Sequence, residues 1–204
     1  MQSALPVAVD VGRGLLVPAR VVPSPNQDAR PPGATIDLVV IHGISLPPGE
    51  FGGPWVERLF TNQLPAAQHP FFATIAGLRV SAHLFIRRDG QIVQFVPFHA
   101  RAWHAGASVW RHRVACNDYS VGIELEGDDE VAYEPVQYER LAGALVALRR
   151  AYSTLAPDAV TGHSEVAPGR KSDPGPAFDW PGLGSRVAAA GGGWAAGPDG
   201  PRTA

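Results

Sequence analysis

Two histidines and one aspartate in this sequence have the types and the placement that a metal site needs. His42 ends an apolar run and opens a glycine-rich loop, and His163 also lies just beyond an apolar residue, with Asp173 ten residues further on. Two neutral imidazoles and one carboxylate leave a fourth position for water, which is the ligand set of catalytic zinc. The pattern therefore indicates a zinc site, in which His83 or His104 could replace either histidine. Strand capping through hydrogen bonds is the alternative role for these histidines.

A second group of residues could move protons or stabilise charge beside such a metal. Glu124 and Glu126 alternate with apolar residues in the segment 119–126, so both carboxylates point to one face of a predicted strand. Two carboxylates that share a face can have pKa values that move apart. More often, however, two such residues simply lie on a solvent-facing strand edge. Lys171 is the one lysine among 17 basic residues and lies two positions before Asp173. Its ammonium could stabilise an oxyanion near a metal, or it could be a solvated loop residue.

The composition predicts a globular protein that does not bind polyanions. The chain has 204 residues, 45% of them hydrophobic and 18% charged, which suits one domain with or without a tail. A net charge of −2 does not favour a nucleic-acid or anionic-membrane surface. No segment approaches the roughly 20 apolar residues of a membrane helix, and residues 1–20 lack a signal-peptide pattern. We therefore expect a cytoplasmic protein with no nucleic-acid, membrane or obligate protein partner.

The elements that must position these residues include strands and helices, with strands both before and after the longest helix. Apolar and β-branched runs predict strands over 37–42, 80–87, 91–96, 119–126 and 160–163. Helical spacing predicts helices over 55–62, 69–78 and 135–155. Asp89-Gly90 between two strand-like runs is a strong hairpin signal. We therefore expect an α/β fold with a central mixed β-sheet flanked by helices over residues 1–190, followed by a flexible Gly/Pro-rich tail over 191–204.

Five motifs in this order carry a resemblance to a known family. They are Val39-Val-Ile-His-Gly-Ile-Ser-Leu-Pro-Pro-Gly-Glu-Phe-Gly-Gly-Pro-Trp55, Leu78-Arg-Val-Ser-Ala-His83, Arg101-Ala-Trp-His-Ala-Gly106, Cys116-Asn-Asp-Tyr-Ser-Val-Gly-Ile-Glu-Leu-Glu-Gly127 and Thr161-Gly-His-Ser-Glu-Val-Ala-Pro-Gly-Arg-Lys-Ser-Asp-Pro-Gly-Pro-Ala-Phe-Asp-Trp180. The sequence resembles the zinc N-acetylmuramoyl-L-alanine amidases of the phage-lysozyme and peptidoglycan-recognition-protein superfamily. Within that superfamily it is most similar to the AmpD-type group, from about Gly14 to about Leu183.

The resemblance implies a mixed sheet with helices on its faces and zinc in a surface groove. It assigns the metal ligands to His42, His163 and Asp173, the acid/base role to Glu124, a place near the metal to Lys171, and substrate binding to Arg79, Trp103, His104 and Arg170. The implied reaction is hydrolysis of the amide between (1,6-anhydro-)N-acetylmuramic acid and L-alanine of muropeptides in cytosolic cell-wall recycling. No serine or cysteine nucleophile is needed.

Two features depart from the pattern of that family. Gly43 follows the first ligand, where we expect an asparagine that contacts the sugar, and the segment 109–115 with Arg111 and Arg113 does not match. Neither departure touches the metal or acid/base positions. Two other functions stay open at this point. One is an exported or phage-type amidase that acts on polymeric peptidoglycan, and the other is a muropeptide receptor without catalysis.

Overall fold

The computed structural model describes residues 7–195, in which twelve strands and five α-helices are present. The strands are β1 Ala8–Asp10, β2 Leu15–Val17, β3 Arg20–Val21, β4 Gln27–Ala29, β5 Leu38–Ile44, β6 Leu84–Ile86, β7 Ile92–Gln94, β8 Ala100–Ala102, β9 Val109–Trp110, β10 Arg113–Val114, β11 Ser120–Glu126 and β12 Val160–Gly162. The helices are α1 Trp55–Phe60, α2 Pro70–Thr74, α3 Pro135–Ala151, α4 His163–Val166 and α5 Trp180–Ala189. Short 3-10 turns lie at Ala66–Gln68 and Cys116–Asp118.

The central sheet contains six strands in the order β12-β5-β11-β6-β7-β3. Strands β12, β5, β11 and β6 are parallel to one another, whereas β6 and β7 form the predicted antiparallel hairpin. The predicted mixed sheet flanked by helices is therefore confirmed. Because the carboxyl ends of parallel strands share one edge of a sheet, the loops that follow β5, β11 and β12 gather there.

Alternation along the strands separates an apolar face from a polar one. Helices α3 and α5 cover the apolar face, and Leu141 of α3 and Leu183 of α5 belong to the same buried cluster as the strand residues Val39, Ile41, Val121, Ile123 and Leu125. Burying each side chain of this size stabilises the fold by about 1.5–3 kcal/mol. The residues between them point the other way, so His42 and Glu124 lie on the face opposite α3. A second apolar cluster, around Phe60, Phe72 and Phe95, packs α1 and α2 against β6 and β7.

Helix α3 begins where the sequence predicts because Pro135 suits the first turn of a helix. The backbone N–H of Glu134 donates to Gln137 Oε1 at 2.9 Å. Gln137 is fully buried, and its Nε2 donates to the carbonyls of Ile86 and Glu126 at 3.0 and 3.1 Å. These bonds tie the start of the helix to the ends of β6 and β11, and so hold the edge of the sheet that carries Glu124.

The structure differs from the sequence-based prediction at several element boundaries. Strand β12 ends at Gly162, and His163 begins the short helix α4 instead of ending the strand.

Helix α5 was not predicted, because its first turn contains Pro181 and Gly182, which usually indicate a turn. Asp179 caps that helix by accepting the Gly182 N–H at 2.8 Å, and proline is well tolerated there. The hairpin of β9 and β10 was also missed, because each of its strands has only two residues.

The carboxyl-terminal end of the described chain continues beyond α5. The Gly192 N–H donates to the Val187 carbonyl at 2.9 Å, and the Trp194 ring packs against the main core. The rest of the predicted tail, residues 196–204, lies outside the described residues, so the boundary at 190 stays a prediction. Within residues 7–195, we find no helix with the length and apolarity required to cross a membrane.

Strand β11 leads to a stability prediction at Gly122. A Cβ at this position would lie 2.4–2.7 Å from three ring atoms of His104, so Gly122→Ala must displace a buried ring. We expect a loss of about 1–3 kcal/mol in the free energy of unfolding, as for other overpacked cores. Gly77→Ala is the control, because its Cβ would have nothing within 4 Å, and it should change stability by less than about 0.5 kcal/mol. Chemical denaturation measures both values, and equal effects would contradict the steric explanation.

Candidate active site

Three side-chain atoms meet at the carboxyl edge of the central sheet. His42 Nδ1 lies 2.9 Å from His163 Nδ1 and 3.1 Å from Asp173 Oδ2, and His163 Nδ1 lies 3.0 Å from the same oxygen. Both imidazoles are buried, and Asp173 is partly buried. A tetrahedral ion with bonds of about 2.0–2.1 Å has ligand atoms about 3.3 Å apart, so this triangle can close around a small cation.

The register of the parallel strands places the two histidines at the same level. Gly162 pairs with Ile41 across β12 and β5, so His163 and His42 are each the next residue along the chain. Asp173 reaches them through the loop that follows α4. Its carbonyl accepts the Ser164 N–H at 2.9 Å, which closes the loop beside His163.

The hydrogen bonds around the triangle are compatible with a cation at its centre. His163 Nε2 donates to the Ala105 carbonyl at 3.3 Å, and an imidazole with a single proton on Nε2 has its lone pair on Nδ1. Asp173 Oδ2 is also an acceptor. Burial is the main cause that lowers the pKa of His42 to about 4. Burial raises the pKa of Asp173, but the adjacent His163 and His42 rings outweigh it and hold that pKa below its usual value. The donor set therefore fits a bound metal ion.

Glu124 stands directly beside the triangle. It pairs with His42 across β11 and β5, and its side chain is 8% exposed. Its Oε2 is buried without a hydrogen-bond partner among residues 7–195. Burial raises the pKa of Glu124 well above its usual value, Asp173 raises it further, and Lys171 lowers it. A buried carboxylate oxygen that the protein leaves unsatisfied is available to a water molecule or a reacting group.

Glu126, the alternative carboxylate, has a different environment. Its oxygens accept the backbone N–H groups of Gly52 at 2.6 Å and Arg88 at 3.0 Å. These bonds attach the loop before α1 and the β6–β7 hairpin to the end of β11. Because both oxygens are already used, Glu126 stabilises the loops around the site, and Glu124 is the carboxylate that stays free.

A groove of about 670 Å³ lies in front of the triangle. Arg170, Lys171 and Asp173 from the segment after α4 line it, as do Asp128, Asp129 and Glu130 from the segment after β11. Gly43, Ile44 and Ser45 continue the lining from the end of β5. Basic and acidic side chains thus line the same groove, an arrangement that suits a ligand with groups of both charges.

The four predicted substrate-binding residues lie in different places. Arg170 lies in the groove wall, and its Nη2 donates to the carbonyls of Ala105 and Ala107 at 2.6 and 2.7 Å. Arg79 lines a separate cavity of about 50 Å³ on another part of the surface. The backbone N–H of Trp103 donates to Ser81 Oγ at 3.1 Å, and its side chain is partly exposed. Their contacts with substrate stay predictions.

His104 is buried behind the triangle. Its Nδ1 lies 2.9 Å from His42 Nε2, and its Nε2 lies 3.1 Å from Ser120 Oγ. Both ring nitrogens therefore have protein partners, and only 8% of the residue is exposed. Sequence reasoning missed Ser120 and Gly122, although Ser120, Gly122 and Glu124 share the polar face of β11. The alternation of small polar residues on that face was the available signal.

Gly43 has a structural reason to lack a side chain. A Cβ there would lie 2.2 Å from Tyr133 Oη, and that hydroxyl donates to the Pro174 carbonyl at 2.9 Å. An asparagine at position 43 would require Tyr133 to move. The Tyr133 hydroxyl therefore occupies the space that a side chain at position 43 would need.

The other departure, the segment 109–115, forms the β9–β10 hairpin. Arg111 lies over the Trp110 ring and pairs with Asp158 at 2.5 Å. Arg113 likewise lies over the Tyr119 ring, 3.8 Å from its centroid. Its Nη1 forms an ion pair with Asp37 Oδ2 at 2.6 Å. Neither arginine is part of the groove lining, so both have surface roles in the described structure.

Comparison with known proteins identifies the family of this chain. A family model described as N-acetylmuramoyl-L-alanine amidase matches residues 32–176. The 1,6-anhydro-N-acetylmuramyl-L-alanine amidase AmpD of Escherichia coli is 59% identical over 168 residues, which cover 82% of this chain and 91% of the relative. The AmpD of Haemophilus influenzae is 45% identical over 171 residues, which cover 84% of this chain and 93% of the relative.

Solved structures give the same result. A crystal structure of an Se-Met AmpD derivative matches with a TM-score of 0.84 and 54% identity, over 88% of this chain and 98% of that chain. Escherichia coli AmiD, solved with the substrate anhydro-N-acetylmuramic acid-L-Ala-D-gamma-Glu-L-Lys, matches with a TM-score of 0.54 and 26% identity, over 90% of this chain and 66% of that chain. The chain therefore belongs to the N-acetylmuramoyl-L-alanine amidase family, within its AmpD-type group.

Proposed function

We propose that this protein hydrolyses the amide between 1,6-anhydro-N-acetylmuramic acid and L-alanine in soluble muropeptides, with zinc as its metal and the cytoplasm as its location. The observation that carries the proposal is the triangle of His42, His163 and Asp173 beside the unsatisfied carboxylate of Glu124. The AmpD relatives, which are named for this bond, support the choice of substrate.

The reaction needs a nucleophile, a proton carrier and a site for negative charge. His42, His163 and Asp173 would hold a zinc ion, which would supply a Lewis acid and lower the pKa of water. Glu124 takes a proton from the attacking water, whose oxygen forms a bond to the lactyl carbonyl carbon. As the carbon–nitrogen bond breaks, Glu124 gives this proton to the alanine nitrogen. The products are a free lactyl carboxylate and a peptide with a free α-amino group.

Lys171 is the residue we assign to the negative charge that develops on the carbonyl oxygen. It lies in the groove wall beside Asp173, and its charge is close enough to lower the pKa values of His42 and Glu124. Its ammonium can donate to the oxygen as that atom becomes an oxyanion. Asp128, Asp129 and Glu130, which line the same groove, are suited to the cationic groups of a stem peptide.

A direct test is mass spectrometry of the products. Zinc-loaded protein is incubated with a 1,6-anhydro-N-acetylmuramyl peptide and, separately, with polymeric peptidoglycan. We expect the soluble substrate to yield the sugar acid and the free peptide, with little release from the polymer. An intact soluble substrate would favour a non-catalytic receptor, and faster release from the polymer would favour an exported or phage-type amidase.

The metal site predicts one zinc ion per chain. His163→Ala should abolish zinc binding and activity, because two ligands remain where catalytic zinc has three. His99→Ala is the matched control, since His99 is an exposed histidine outside the groove. Inductively coupled plasma mass spectrometry of both variants measures their zinc content. A zinc-free wild type whose activity does not rise on adding zinc would refute the metal assignment.

Glu124 should be required for turnover but not for metal binding. Glu124→Gln keeps the shape of the side chain and removes its basicity, so kcat should fall by roughly 10²–10⁴-fold. Zinc content should stay at the wild-type level. Steady-state kinetics with a soluble muropeptide measures the effect, and Glu126→Gln serves as the comparison. Near-wild-type turnover of Glu124→Gln would move the base to another residue.

Lys171 allows a test of donor shape. Arginine occupies 16 of the 17 basic positions in the chain, yet this position keeps a compact ammonium. We expect Lys171→Arg to lose roughly 10²–10³-fold in kcat, nearly as much as Lys171→Ala, as when an oxyanion donor is removed. The loss should appear in kcat more than in KM, because the contact strengthens as charge develops. If Lys171→Arg retains more than about a third of wild-type kcat, positive charge alone is sufficient.

A further inference from the structure

A row of four buried histidines runs through the site. The ring centroids of His163 and His42 are 4.3 Å apart, those of His42 and His104 are 5.0 Å apart, and those of His104 and His83 are 5.9 Å apart. Only the first two rings point at the metal position. His104 forms the link between His42 Nε2 and Ser120 Oγ, and this link has a chemical consequence.

Each neutral imidazole carries one proton, on either Nδ1 or Nε2. His42 can offer Nδ1 to a metal only if its proton is on Nε2. That proton then points to His104 Nδ1 at 2.9 Å, so His104 must accept there and carry its own proton on Nε2. Ser120 Oγ accepts the Nε2 proton at 3.1 Å.

The reverse arrangement also satisfies the hydrogen bonds, but it blocks the site. If the Ser120 hydroxyl donates to His104 Nε2, the His104 proton lies on Nδ1 and points to His42 Nε2. The His42 proton is then on Nδ1, in the middle of the triangle with His163 and Asp173. The two arrangements differ only in the direction of the chain from Ser120 to His42.

We propose that His104 is a positioning residue that fixes His42 in the metal-binding tautomer, with the Ser120 hydroxyl as the acceptor that completes the chain. This proposal rests on the proposed zinc site, but it concerns the affinity for the metal and not the cleaved bond. The partner of the second nitrogen of a metal-bound histidine fixes the tautomer and the orientation of its ring. His104 provides this partner for His42.

The backbone around His104 is held in a way that suits this role. Asn117 Oδ1 accepts the N–H groups of His104 and Ala105 at 3.2 and 2.8 Å. The Ala105 carbonyl in turn accepts from His163 Nε2. Two consecutive residues thus orient both histidine ligands, His104 through its ring and Ala105 through its carbonyl. Gly122 gives the His104 ring the space it needs against β11.

The tautomers can be read directly in the wild-type protein. In zinc-loaded protein with ¹⁵N-labelled histidine, long-range ¹H–¹⁵N spectra distinguish a protonated Nε2 from a protonated Nδ1. We expect His42 and His104 both to be protonated at Nε2. A His104 ring protonated at Nδ1 in the zinc-loaded protein would overturn the proposal, whatever the protein does to a muropeptide.

Zinc affinity provides the second measurement, by competition with a chelator. His104→Leu removes the acceptor and should weaken zinc binding by about 10–100-fold, the usual effect of losing such a partner. His104→Asn has nearly the same size as the leucine variant and keeps an oxygen that can accept from His42 Nε2, so it should bind zinc more tightly than His104→Leu. Ser120→Ala should also weaken zinc binding, because it removes the acceptor of the Nε2 proton.

Ser81→Ala is the matched control for the loss of a buried hydroxyl. Ser81 Oγ donates to the Asn26 carbonyl at 2.7 Å and accepts from the Trp103 N–H, and neither of these hydrogen bonds involves a histidine ring. It should leave zinc affinity unchanged. Equal affinities for wild type and His104→Leu, or an equal loss in Ser81→Ala and Ser120→Ala, would overturn the proposal. If His104→Leu does not fold, the wild-type spectra and Ser120→Ala decide. If zinc affinity and the tautomers are as expected but the muropeptide is not cleaved, the proposed function alone would be contradicted.

Discussion

The site depends on three electron-rich atoms that the fold holds 2.9–3.1 Å apart where water has little access. Lone pairs at such distances repel one another unless a proton or a cation lies between them, and burial increases that cost. The parallel register, the loop after α4 and the hydrogen bonds behind each ring hold all three groups in this arrangement despite the repulsion. A metal ion relieves the repulsion, so metal affinity and the stability of this edge of the sheet are coupled.

Strand β11 combines several tasks on one face. Ser120 binds the His104 ring, Gly122 makes room for it, and Glu124 reaches the reaction site, while Glu126 attaches two neighbouring loops. Their common spacing of two residues follows from the pleat of a β-strand. The opposite face of the same strand packs against α3, so the core that stabilises the protein also sets the position of Glu124, to which we assign proton transfer.

Local sequence patterns predicted the central strands β5, β6, β7, β11 and β12, helix α3 and the residue types of the proposed site. His42 and Glu124 could be predicted because each lies in an apolar segment, where a polar side chain is unusual. The hydrogen bond between His104 and His42 could not be predicted, because the two residues are 62 positions apart and only the packed fold brings them together. Helix α5 and the β9–β10 hairpin were missed for a local reason, since their proline, glycine and very short strands resemble turns. The roles of Arg79 and Trp103 depend on a bound substrate, which sequence patterns do not describe.

The most direct test of this account is anomalous diffraction at the zinc edge from crystals of the wild-type protein grown with zinc. The account predicts one strong peak about 2.0–2.2 Å from His42 Nδ1, His163 Nδ1 and Asp173 Oδ2, with Glu124 nearby but not bound to the ion. A peak held instead by the acidic wall at Asp128–Glu130, with the triangle closed by its own hydrogen bonds, would contradict it.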